Sequence, residues 1–445
     1  MDNFTPVNDK NDFLIDTTAE GCHFSKRFLY FNPLDGRQLF FDIPAENHEQ
    51  ALQSSEVKKF YNAFDQMYRE KLTVRDNAIT EPQDFSRLSI IPNHRCNFKC
   101  SYCYSAGERN KEVLSFDTIK CSVEYILNNI VNSQCKDKIF YCDFGGGGEP
   151  FLNWDLIKKT IIFAEEKARN LNISTEFSFT SNGSLIRDEQ ADFLSKYNVQ
   201  AGISFEIIEE VQNSQRSQYN AVVNGISALL ERKIYTYLVS TITPDNVCRQ
   251  EEMIVTLSKL FPAIKRLSFE PVVSAELFKN SPEKLREFFI NFTVNFLQAE
   301  KTAAALGIIL RSSIRNKTLY LRKKSCIGGF NLTVDGITFC PMVSHRNDSR
   351  FAQFVFGKVT NDKLFFDTSK LKNWPPNPPE GFQCDKCYAK WNCGGMCPVA
   401  WGVYPADMQK EYCFFMRYFL LYSLWLQEES YNEKISQPSH RKRKS

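Results

Sequence analysis

The sequence predicts an α/β protein built on a parallel sheet, with a small α+β module before the sheet and a cysteine-rich domain after it. Three observations predict this organisation. Strand-like and helix-like segments alternate from residue 86 to about residue 305, most of the 15 cysteines fall into two dense sets, and residues 1–85 share neither pattern. We therefore divide the 445 residues into 1–85, 86–310, 311–427 and a basic tail, 428–445, which we expect to be disordered.

Composition and charge restrict the classes of protein that fit. The formal net charge of +3 does not indicate a nucleic-acid partner. Residues 1–10 contain no apolar signal core, and the longest apolar stretch, 418–426, is far shorter than the roughly 20 residues that span a bilayer. Clustered cysteines without a signal segment favour metal ligation in a reducing compartment. We therefore expect a cytoplasmic protein that does not bind a membrane.

Residues 1–85 contain two short strand signals and one helix signal. Residues 28–31 and 39–41 are apolar, and the intervening residues 32–36 predict a turn. A helix of about 20 residues is predicted by apolar side chains at helical spacing: Val57, Phe60, Tyr61, Phe64, Met67 and Tyr68. These elements are compatible with a winged-helix-like module that holds a leader peptide along an exposed strand edge. The alternative, which we prefer, is an N-terminal elaboration packed on the main domain.

Residues 86–310 alternate six times between strand and helix signals. The predicted strands are 88–92, 138–144, 175–180, 199–205, 234–242 and 265–271. The predicted helices are 116–131, 154–170, 188–197, 219–232, 250–260 and 282–305. Such repeats predict a parallel sheet covered by helices, with too few strands for a closed eight-stranded barrel. An open barrel leaves room for a large substrate, although periodicity alone does not distinguish it from a doubly wound sheet.

The loop after the first predicted strand contains Cys96, Cys100 and Cys103. A chance C-x3-C-x2-C pattern in a chain of this cysteine content has odds of roughly 0.02. Three close thiolates can each ligate one iron of a four-iron cluster and leave the fourth iron open. Zinc would need four ligands, and the nearest histidine, His94, lies on the wrong side of a tight turn. The spacing therefore predicts an iron–sulfur site.

Three further strand ends carry groups suited to a ligand, as expected where the chemistry lies at the carboxyl ends of barrel strands. The second strand is followed by the run Gly-Gly-Gly-Gly-Glu-Pro at 145–150, where glycine lets a backbone approach a ligand closely. The third strand ends in Ser181-Asn182-Gly183, and the fourth carries Ser204, with Arg216 following. Each signal is weak alone, but together they predict one ligand site.

The cysteine loop, with Tyr102 directly before Cys103, and the Gly-Gly-Glu-Pro run resemble signatures of the radical SAM superfamily. The resemblance covers about residues 86–425 and implies a partial (β/α)6, TIM-like barrel whose open iron binds the amino and carboxylate groups of S-adenosylmethionine. It also implies the residues that bind this cofactor: Tyr102, the backbone of Gly146, Gly147, Gly148 and Glu149 near the amino group, Ser181 and Asn182 at the ribose, and Ser204 and Arg216 at the carboxylate. Glu206 replaces the more usual Asp-Gly pair, so the local loop geometry is expected to differ.

Residues 306–325 are predicted to be a basic connector, facing either an acidic peptide or solvent; its charged residues are Arg311, Arg315, Lys317, Arg322, Lys323 and Lys324. An alternating run at 331–339 predicts a hairpin around Asp335-Gly336, between Cys326 and Cys340. A dense set then follows that suits a zinc ribbon or an iron–sulfur site: Cys384, Cys387, Cys393, Cys397 and Cys413.

The order of these C-terminal cysteines resembles the SPASM domain, which carries auxiliary four-iron clusters in many radical SAM peptide maturases. The resemblance implies one auxiliary [4Fe-4S] cluster held by Cys384, Cys387, Cys393 and Cys413, and another held by Cys326, Cys340 and Cys397. No further cysteine occurs in 311–325, so the second cluster has either an open iron or a ligand other than cysteine. The spacing from Gly336 to Cys340 is also one residue tighter than usual.

The remaining cysteines are scattered, and we assign no role to Cys22, Cys121, Cys135, Cys142 and Cys248. An aromatic-rich helix is predicted at 414–426 and is expected to pack on the barrel.

The resemblance implies an enzyme that cleaves S-adenosylmethionine to a 5′-deoxyadenosyl radical, which abstracts hydrogen from an unactivated C–H bond. It indicates a maturase of RiPP biosynthesis that oxidatively cross-links side chains of a ribosomally synthesised precursor peptide through a C–C, ether or thioether bond, as in cyclophane-forming or darobactin-type systems. The expected partners are the precursor peptide with its leader and a low-potential electron donor of the flavodoxin or ferredoxin type.

Two alternatives stay open. An anaerobic sulfatase maturase, which forms formylglycine, resembles the same domains but usually has an acidic base directly after the second SPASM cysteine, where this chain has Pro341. The alternative of another class is a zinc-binding or electron-transfer protein without radical chemistry. The catalytic base is not identified; Glu270, at the end of the sixth strand, is a candidate on position alone.

Overall fold

The computed structural model describes most of the chain: residues 4–7, 11–46, 48–66, 71–76, 79–103, 111–134, 136–342 and 349–436. Some positions named above therefore lie outside the described part: the side chain of Phe64, Met67, Tyr68, Cys135 and residues 437–445 of the tail.

The N-terminal module is a four-stranded antiparallel sheet followed by two helices. Its strands pair in chain order: β1 (Phe4–Pro6), β2 (Phe13–Asp16), β3 (Phe28–Asn32) and β4 (Arg37–Phe41). They are followed by α1 (His48–Gln53), α2 (Ser55–Gln66) and a short strand, β5 (Val74–Arg75). The strands predicted at 28–31 and 39–41 are confirmed. The apolar run of β3 is buried on both faces, because Phe28 and Tyr30 pack with α1 and α2 whereas Leu29 and Phe31 join the main core.

Six parallel strands form the barrel wall in chain order: β6 (Arg87–Ile90), β7 (Ile139–Phe144), β8 (Ser174–Ser181), β9 (Gln200–Ser204), β10 (Thr236–Ile242) and β11 (Arg266–Pro271). The helices around them are α3 (Phe116–Asn132), α4 (Trp154–Asn170), α5 (Asp188–Lys196), α6 (Glu209–Gln215), α7 (Tyr219–Glu231), α8 (Gln250–Leu260) and α9 (Pro282–Ala305). This arrangement confirms the predicted α/β class with a partial barrel. Helix α6 was not predicted, because its short polar sequence has no apolar period.

Side chains alternate between the two faces of the barrel strands. In β7 and β10 every second residue is buried, and the residues between them are half-buried. Two of the half-buried residues of β10, Val239 and Thr241, line a cavity on the concave side. Strand geometry therefore places one set of side chains in the core and presents the other set to a ligand.

The segment 306–325 is not a plain connector, so this prediction was wrong. It contains a seventh parallel strand, β12 (Ile309–Arg311), which pairs with β11. It continues with α10 (Ser313–Leu319) and with β13 (Leu321–Arg322), which pairs with β5. These elements were not predicted because basic residues lie between the apolar residues of the segment. The apolar side chains are nevertheless buried: Ile308, Leu310, Ile314 and Leu321.

The C-terminal domain continues the barrel sheet. The predicted hairpin is formed by β14 (Asn331–Thr333) and β15 (Gly336–Thr338), and β14 pairs in parallel with β6. A second hairpin, β16 (Val355–Thr360) and β17 (Lys363–Phe366), completes a sheet of eleven strands. The helices that follow are α11 (Thr368–Lys372), α12 (Lys390–Cys393), α13 (Pro398–Val403) and α14 (Ala406–Ser436). Short 3-10 turns occur at Pro82–Asp84, Pro150–Asn153, Val247–Arg249, Glu276–Phe278, Ser349–Phe354 and Cys384–Lys386.

The last helix, α14, connects all three parts of the molecule. Phe415 stacks on Phe289 of α9 with ring centroids 4.2 Å apart, so the helix packs on the barrel as expected. Trp425 stacks on Phe24 of the N-terminal module at 4.8 Å. The prediction of disorder from residue 428 was wrong up to Ser436, since an anchored helix propagates at little cost into a polar sequence. No helix among the described residues is both long and apolar enough to cross a bilayer.

Candidate functional site

The carboxyl ends of the barrel strands surround a cavity of about 370 Å³. Its wall includes Cys96, Cys100 and Cys103. It also includes every residue that the sequence assigned to cofactor binding: Tyr102, Gly146, Gly147, Gly148, Glu149, Ser181, Asn182, Ser204 and Arg216. The structure therefore brings these residues together in one place, although they are distributed over more than a hundred positions of the chain.

The glycine run after β7 is required by the close approach of the cysteine loop. A Cβ atom on Gly148 would lie 2.1 Å from the carbonyl oxygen of Arg95, and one on Gly147 would lie 2.7 Å from Ile91 Cγ2. Gly147 also has a left-handed φ of 68°, which disfavours other residues. The Glu149 amide donates to the Arg95 carbonyl at 2.7 Å. The glycines thus position the cysteine loop as well as leaving their backbone accessible to a ligand.

Glu149 connects the ends of two strands from a buried position. Its carboxylate accepts hydrogen bonds from Ser181 Oγ at 2.7 Å, from the Asn182 amide at 2.8 Å and from the Phe151 amide at 3.0 Å. Burial raises the pKa of this carboxyl group, and the hydrogen bonds oppose that shift. The Asn182 side chain donates to Asn97 at 2.8 Å. The side chains of Glu149 and Ser181 therefore shape the site, and Asn182 links it to the cysteine loop.

Glu206, the residue that departs from the expected motif, lies within a buried network. Its carboxylate accepts a short hydrogen bond from the Tyr102 hydroxyl and one at 3.1 Å from the Thr241 amide. Arg216 donates to the Tyr102 oxygen at 2.7 Å and lies 3.6 Å from the Glu206 carboxylate. Burial raises the pKa of Glu206 to about 7, and the charge of Arg216 opposes that shift. The sequence did not predict that Glu206 supports Arg216. The feature that could have indicated it is the position of this carboxylate between Ser204 and Arg216, two residues predicted to bind the cofactor.

The cavity residues fit an iron–sulfur cluster together with S-adenosylmethionine. A single metal ion needs ligands that converge on one point, and no three His, Cys, Asp or Glu side chains do so within the described part of the chain. The thiols of Cys96, Cys100 and Cys103 all border one larger cavity. Arg216 Nε is buried and has no hydrogen-bond acceptor among the described residues, which suits a ligand carboxylate.

Part of the cavity wall is aliphatic and has one further carboxylate. Val239 comes from β10, Val272 follows β11, and Met342 comes from the C-terminal domain. Glu270 also lines the cavity, where it accepts hydrogen bonds from Ser268 Oγ at 2.8 Å and from the Ser313 amide at 3.0 Å. Burial raises the pKa of Glu270. This part of the wall can therefore pack an apolar group next to a carboxyl group that gains a proton easily.

The C-terminal cysteines form two groups. Four of them line one cavity together with Arg417 of α14: Cys384, Cys387, Cys393 and Cys413. Three others interact electrostatically with one another: Cys326, Cys340 and Cys397. Burial raises the pKa of Cys340, Cys387 and Cys413 to about 12, so a cation or a metal is needed to hold them as thiolates. Of the cysteines without an assigned role, Cys22 and Cys142 are buried, Cys121 is half-buried and Cys248 is exposed.

Comparison with known sequences identifies the central domain. Residues 90–254 match the model of the Radical SAM superfamily, so this chain contains a radical SAM domain. The chain is 28% identical over 196 residues to the cysteine-type anaerobic sulfatase-maturating enzyme of Clostridium novyi, covering 42% of this chain and 50% of that enzyme. It is 24% identical over 174 residues to the radical SAM cyclopropyl synthase TigE of Paramaledivibacter caminithermalis, covering 36% of each. The matches thus span about a third to three fifths of the curated relatives.

Solved structures support the fold. Native anSMEcpe with bound AdoMet and Kp18Cys peptide superposes with a TM-score of 0.58 at 17% identity, covering 77% of this chain and 99% of that chain. Streptococcus suis SuiB bound to the precursor peptide SuiA gives a TM-score of 0.50 at 13% identity, covering 86% and 96%. At these identities the similarity establishes the fold alone. The radical SAM family implies S-adenosylmethionine and a [4Fe-4S] cluster, which agrees with the prediction of this cofactor and of the first cluster.

Proposed function

We propose that this chain is a radical SAM peptide maturase that oxidatively cross-links side chains of a ribosomally synthesised precursor peptide. The observation that carries the proposal is the single cavity in which three thiols, a buried arginine, an aliphatic wall and a carboxylate meet. The fold shared with anSMEcpe bound to the Kp18Cys peptide and with SuiB bound to its precursor peptide supports a peptide substrate.

In this proposal, Cys96, Cys100 and Cys103 hold the [4Fe-4S] cluster, and Arg216 binds the carboxylate of S-adenosylmethionine. Tyr102 and Glu206 keep the guanidinium of Arg216 in place through the contacts described above. When bound, the cluster and S-adenosylmethionine supply a 5′-deoxyadenosyl radical that removes one hydrogen atom from the substrate.

The remaining cavity residues prepare the substrate for oxidation. Val239, Val272 and Met342 exclude water and pack against an apolar part of the peptide. Glu270 accepts the proton that the substrate loses when its radical is oxidised by one electron, and its hydrogen bonds to Ser268 and Ser313 orient it for this role. The product therefore lacks two hydrogen atoms relative to the substrate.

The C-terminal domain is proposed to bind two auxiliary [4Fe-4S] clusters. One is held by Cys384, Cys387, Cys393 and Cys413, and the other by Cys326, Cys340 and Cys397 with one further ligand or an open iron. The chemistry that these groups supply is acceptance of the electron released by the substrate. A flavodoxin- or ferredoxin-type protein is the proposed donor for the first cluster.

Formation of formylglycine is a second candidate, favoured by the similarity to the sulfatase-maturating enzyme of Clostridium novyi. Both functions oxidise a peptide by two electrons. The residue after Cys340 distinguishes them, because Pro341 cannot take up a proton. Pro341 instead packs near the glycine loop, because a Cβ atom added to Gly146 would lie 3.1 Å from the Cβ atom of Pro341. We therefore prefer the cross-linking function.

Anaerobic reconstitution tests both candidates. Three four-iron clusters predict about twelve irons per chain and, with S-adenosylmethionine and dithionite, release of 5′-deoxyadenosine. With a precursor peptide encoded beside this gene, loss of two hydrogen atoms and a new link between residues supports cross-linking, whereas an aldehyde at a single Cys or Ser supports formylglycine. Zinc in place of iron, or no 5′-deoxyadenosine from fully loaded protein, contradicts both.

A further inference from the structure

The N-terminal sheet reaches the cavity of the four C-terminal thiols. Glu20, in the loop between β2 and β3, accepts hydrogen bonds from Arg417 Nε at 2.8 Å and from the Tyr388 hydroxyl at 3.2 Å. Tyr388 directly follows Cys387, and Arg417 lies one helical turn after Cys413. Arg417 also lines the cavity that the four thiols surround. One carboxylate of the N-terminal module thus binds an arginine in the wall of this cavity and the residue that follows one of its thiols.

Further contacts make this junction extensive. The rings of Phe4 and Phe13 pack edge-on against Tyr388, with centroids 5.0 and 6.4 Å apart. Trp391 donates a hydrogen bond to the Asn11 side chain at 3.1 Å. Glu20 is only 4% exposed, and a carboxylate buried to this extent is stable only with paired partners. The junction is therefore an internal part of the fold.

We propose that the N-terminal sheet is a functional part of the four-cysteine metal site, in which Glu20 holds Arg417 beside the thiols so that its charge balances the metal centre. This inference rests on the proposed function, since it takes the four thiols to bind an iron–sulfur cluster. Arg417 places a positive charge in the wall of the cavity that the four thiols line, which is where a cation can balance thiolates and a metal centre. Because nearby charge tunes the reduction potential of such clusters, Arg417 raises the potential of this one.

The same cavity offers a matched control. Lys390 also lines it but forms its ion pair with Asp385, at 2.7 Å, on the surface. The Asp385 side chain is 92% exposed, so water and salt screen this pair. The two pairs have the same charges and differ in burial and in the origin of the carboxylate. A specific role of the N-terminal sheet therefore predicts different effects for the two pairs.

The test uses the full chain, reconstituted with iron and sulfide, and needs no substrate. It measures iron content, the rate at which a chelator removes iron, and the midpoint reduction potential of the four-cysteine cluster. The spectroscopic signal of this cluster is identified as the one that Cys387→Ala removes. Arg417→Met is expected to make this potential more negative and to speed iron loss roughly tenfold. Glu20→Gln should free Arg417 to leave the cavity and so change both in the same direction by a smaller factor. Asp385→Asn and Lys390→Met should have smaller effects than either variant, because their exposed pair is screened.

The double variant Glu20→Gln with Arg417→Met separates charge balance from a purely structural role. If the pair only stabilises the fold, removing both partners should restore thermal stability, iron retention and potential together, which would overturn the inference. If Arg417 balances the charge, the double variant keeps the shifted potential, and Arg417→Lys recovers part of it. An unchanged potential in Arg417→Met also overturns the inference. An iron content that Cys387→Ala does not lower overturns the cluster assignment itself, and the inference with it.

Discussion

The two cysteine-rich regions of this chain are supported in different ways. Cys96, Cys100 and Cys103 follow a barrel strand, and the groups around them come from the ends of neighbouring parallel strands. The C-terminal cysteines lie on loops and short helices, except for Cys413 on the long helix α14. The cavity that four of them share is completed by Arg417, which is held by Glu20 from a loop of a distant sheet. A barrel edge organises a site through backbone register, whereas an irregular domain needs side chains from elsewhere in the chain.

The two regions also meet. His94, just before the first cysteine loop, lies 3.2 Å from the Asp335 carboxylate in the β14–β15 turn, and both side chains are buried. Met342, two residues after Cys340, lines the barrel cavity. The two regions are therefore in contact but are supported in different ways, and mutations can show how far they act separately.

Replacement of a barrel cysteine should separate the regions most sharply. Cys96→Ala removes a proposed ligand of the first cluster, so release of 5′-deoxyadenosine should be abolished while about eight of twelve irons remain. Iron analysis and chromatography of the products measure both quantities. Cys142→Ala is the control, since this buried thiol lies outside both cysteine groups. Substantial 5′-deoxyadenosine from the Cys96 variant would show that the barrel site is not the site of cleavage.

A methyl group in the glycine loop tests whether the barrel edge positions the first cysteine loop. In Gly148→Ala, the new Cβ would lie 2.1 Å from the Arg95 carbonyl oxygen, so we expect a loss of roughly 3 kcal/mol of unfolding free energy. Cleavage of S-adenosylmethionine should fall with it, whereas C-terminal iron should be retained. Gly307→Ala is the control, since its new Cβ would meet no atom within 4 Å, and the positive φ of 68° at this position should by itself cost about 1 kcal/mol. Equal losses in the two variants would contradict the steric argument.

The substrate side of the cavity is tested by Glu270→Gln. If Glu270 accepts the second proton, product formation should fall roughly a hundredfold while 5′-deoxyadenosine is still released, because hydrogen abstraction precedes the proton loss. The ratio of the two products, measured by mass spectrometry, distinguishes this role from a general defect. A parallel fall in both quantities would mean that Glu270 only supports the structure.

The smallest expected effect concerns the network around Arg216. The pKa of Glu206 is raised to about 7, so this carboxylate takes up a proton as the pH falls from 8 to 6 and then attracts Arg216 less strongly. The affinity for S-adenosylmethionine should therefore decrease over this pH range. Glu206→Gln should bind the cofactor roughly fivefold more weakly at pH 8 and lose this pH dependence. Calorimetric titration at several pH values measures both effects. A variant that retains the pH dependence of the unmodified protein would assign it to another group.

The barrel was largely predictable from the sequence because its elements are long and their apolar periods are strong. The predicted bounds of the helices at 154–170, 250–260 and 282–305 agree with α4, α8 and α9. The elements that were missed, such as α6, β12 and the hairpin of β16 and β17, are short or rich in charge. The missed strands form by pairing with other strands, which no local pattern encodes, and α6 is a short polar helix without an apolar period.

The sequence alone determined that the three thiols of the first cysteine loop lie near one another, because residues so close along the chain cannot lie far apart in space. It also indicated which strand ends would share a cavity, since parallel strands place their carboxyl ends at one edge. Only the tertiary structure decided that Glu206 supports Arg216 and that Glu20 reaches Arg417. These contacts join residues on separate elements, and their geometry follows from how those elements pack rather than from spacing along the chain.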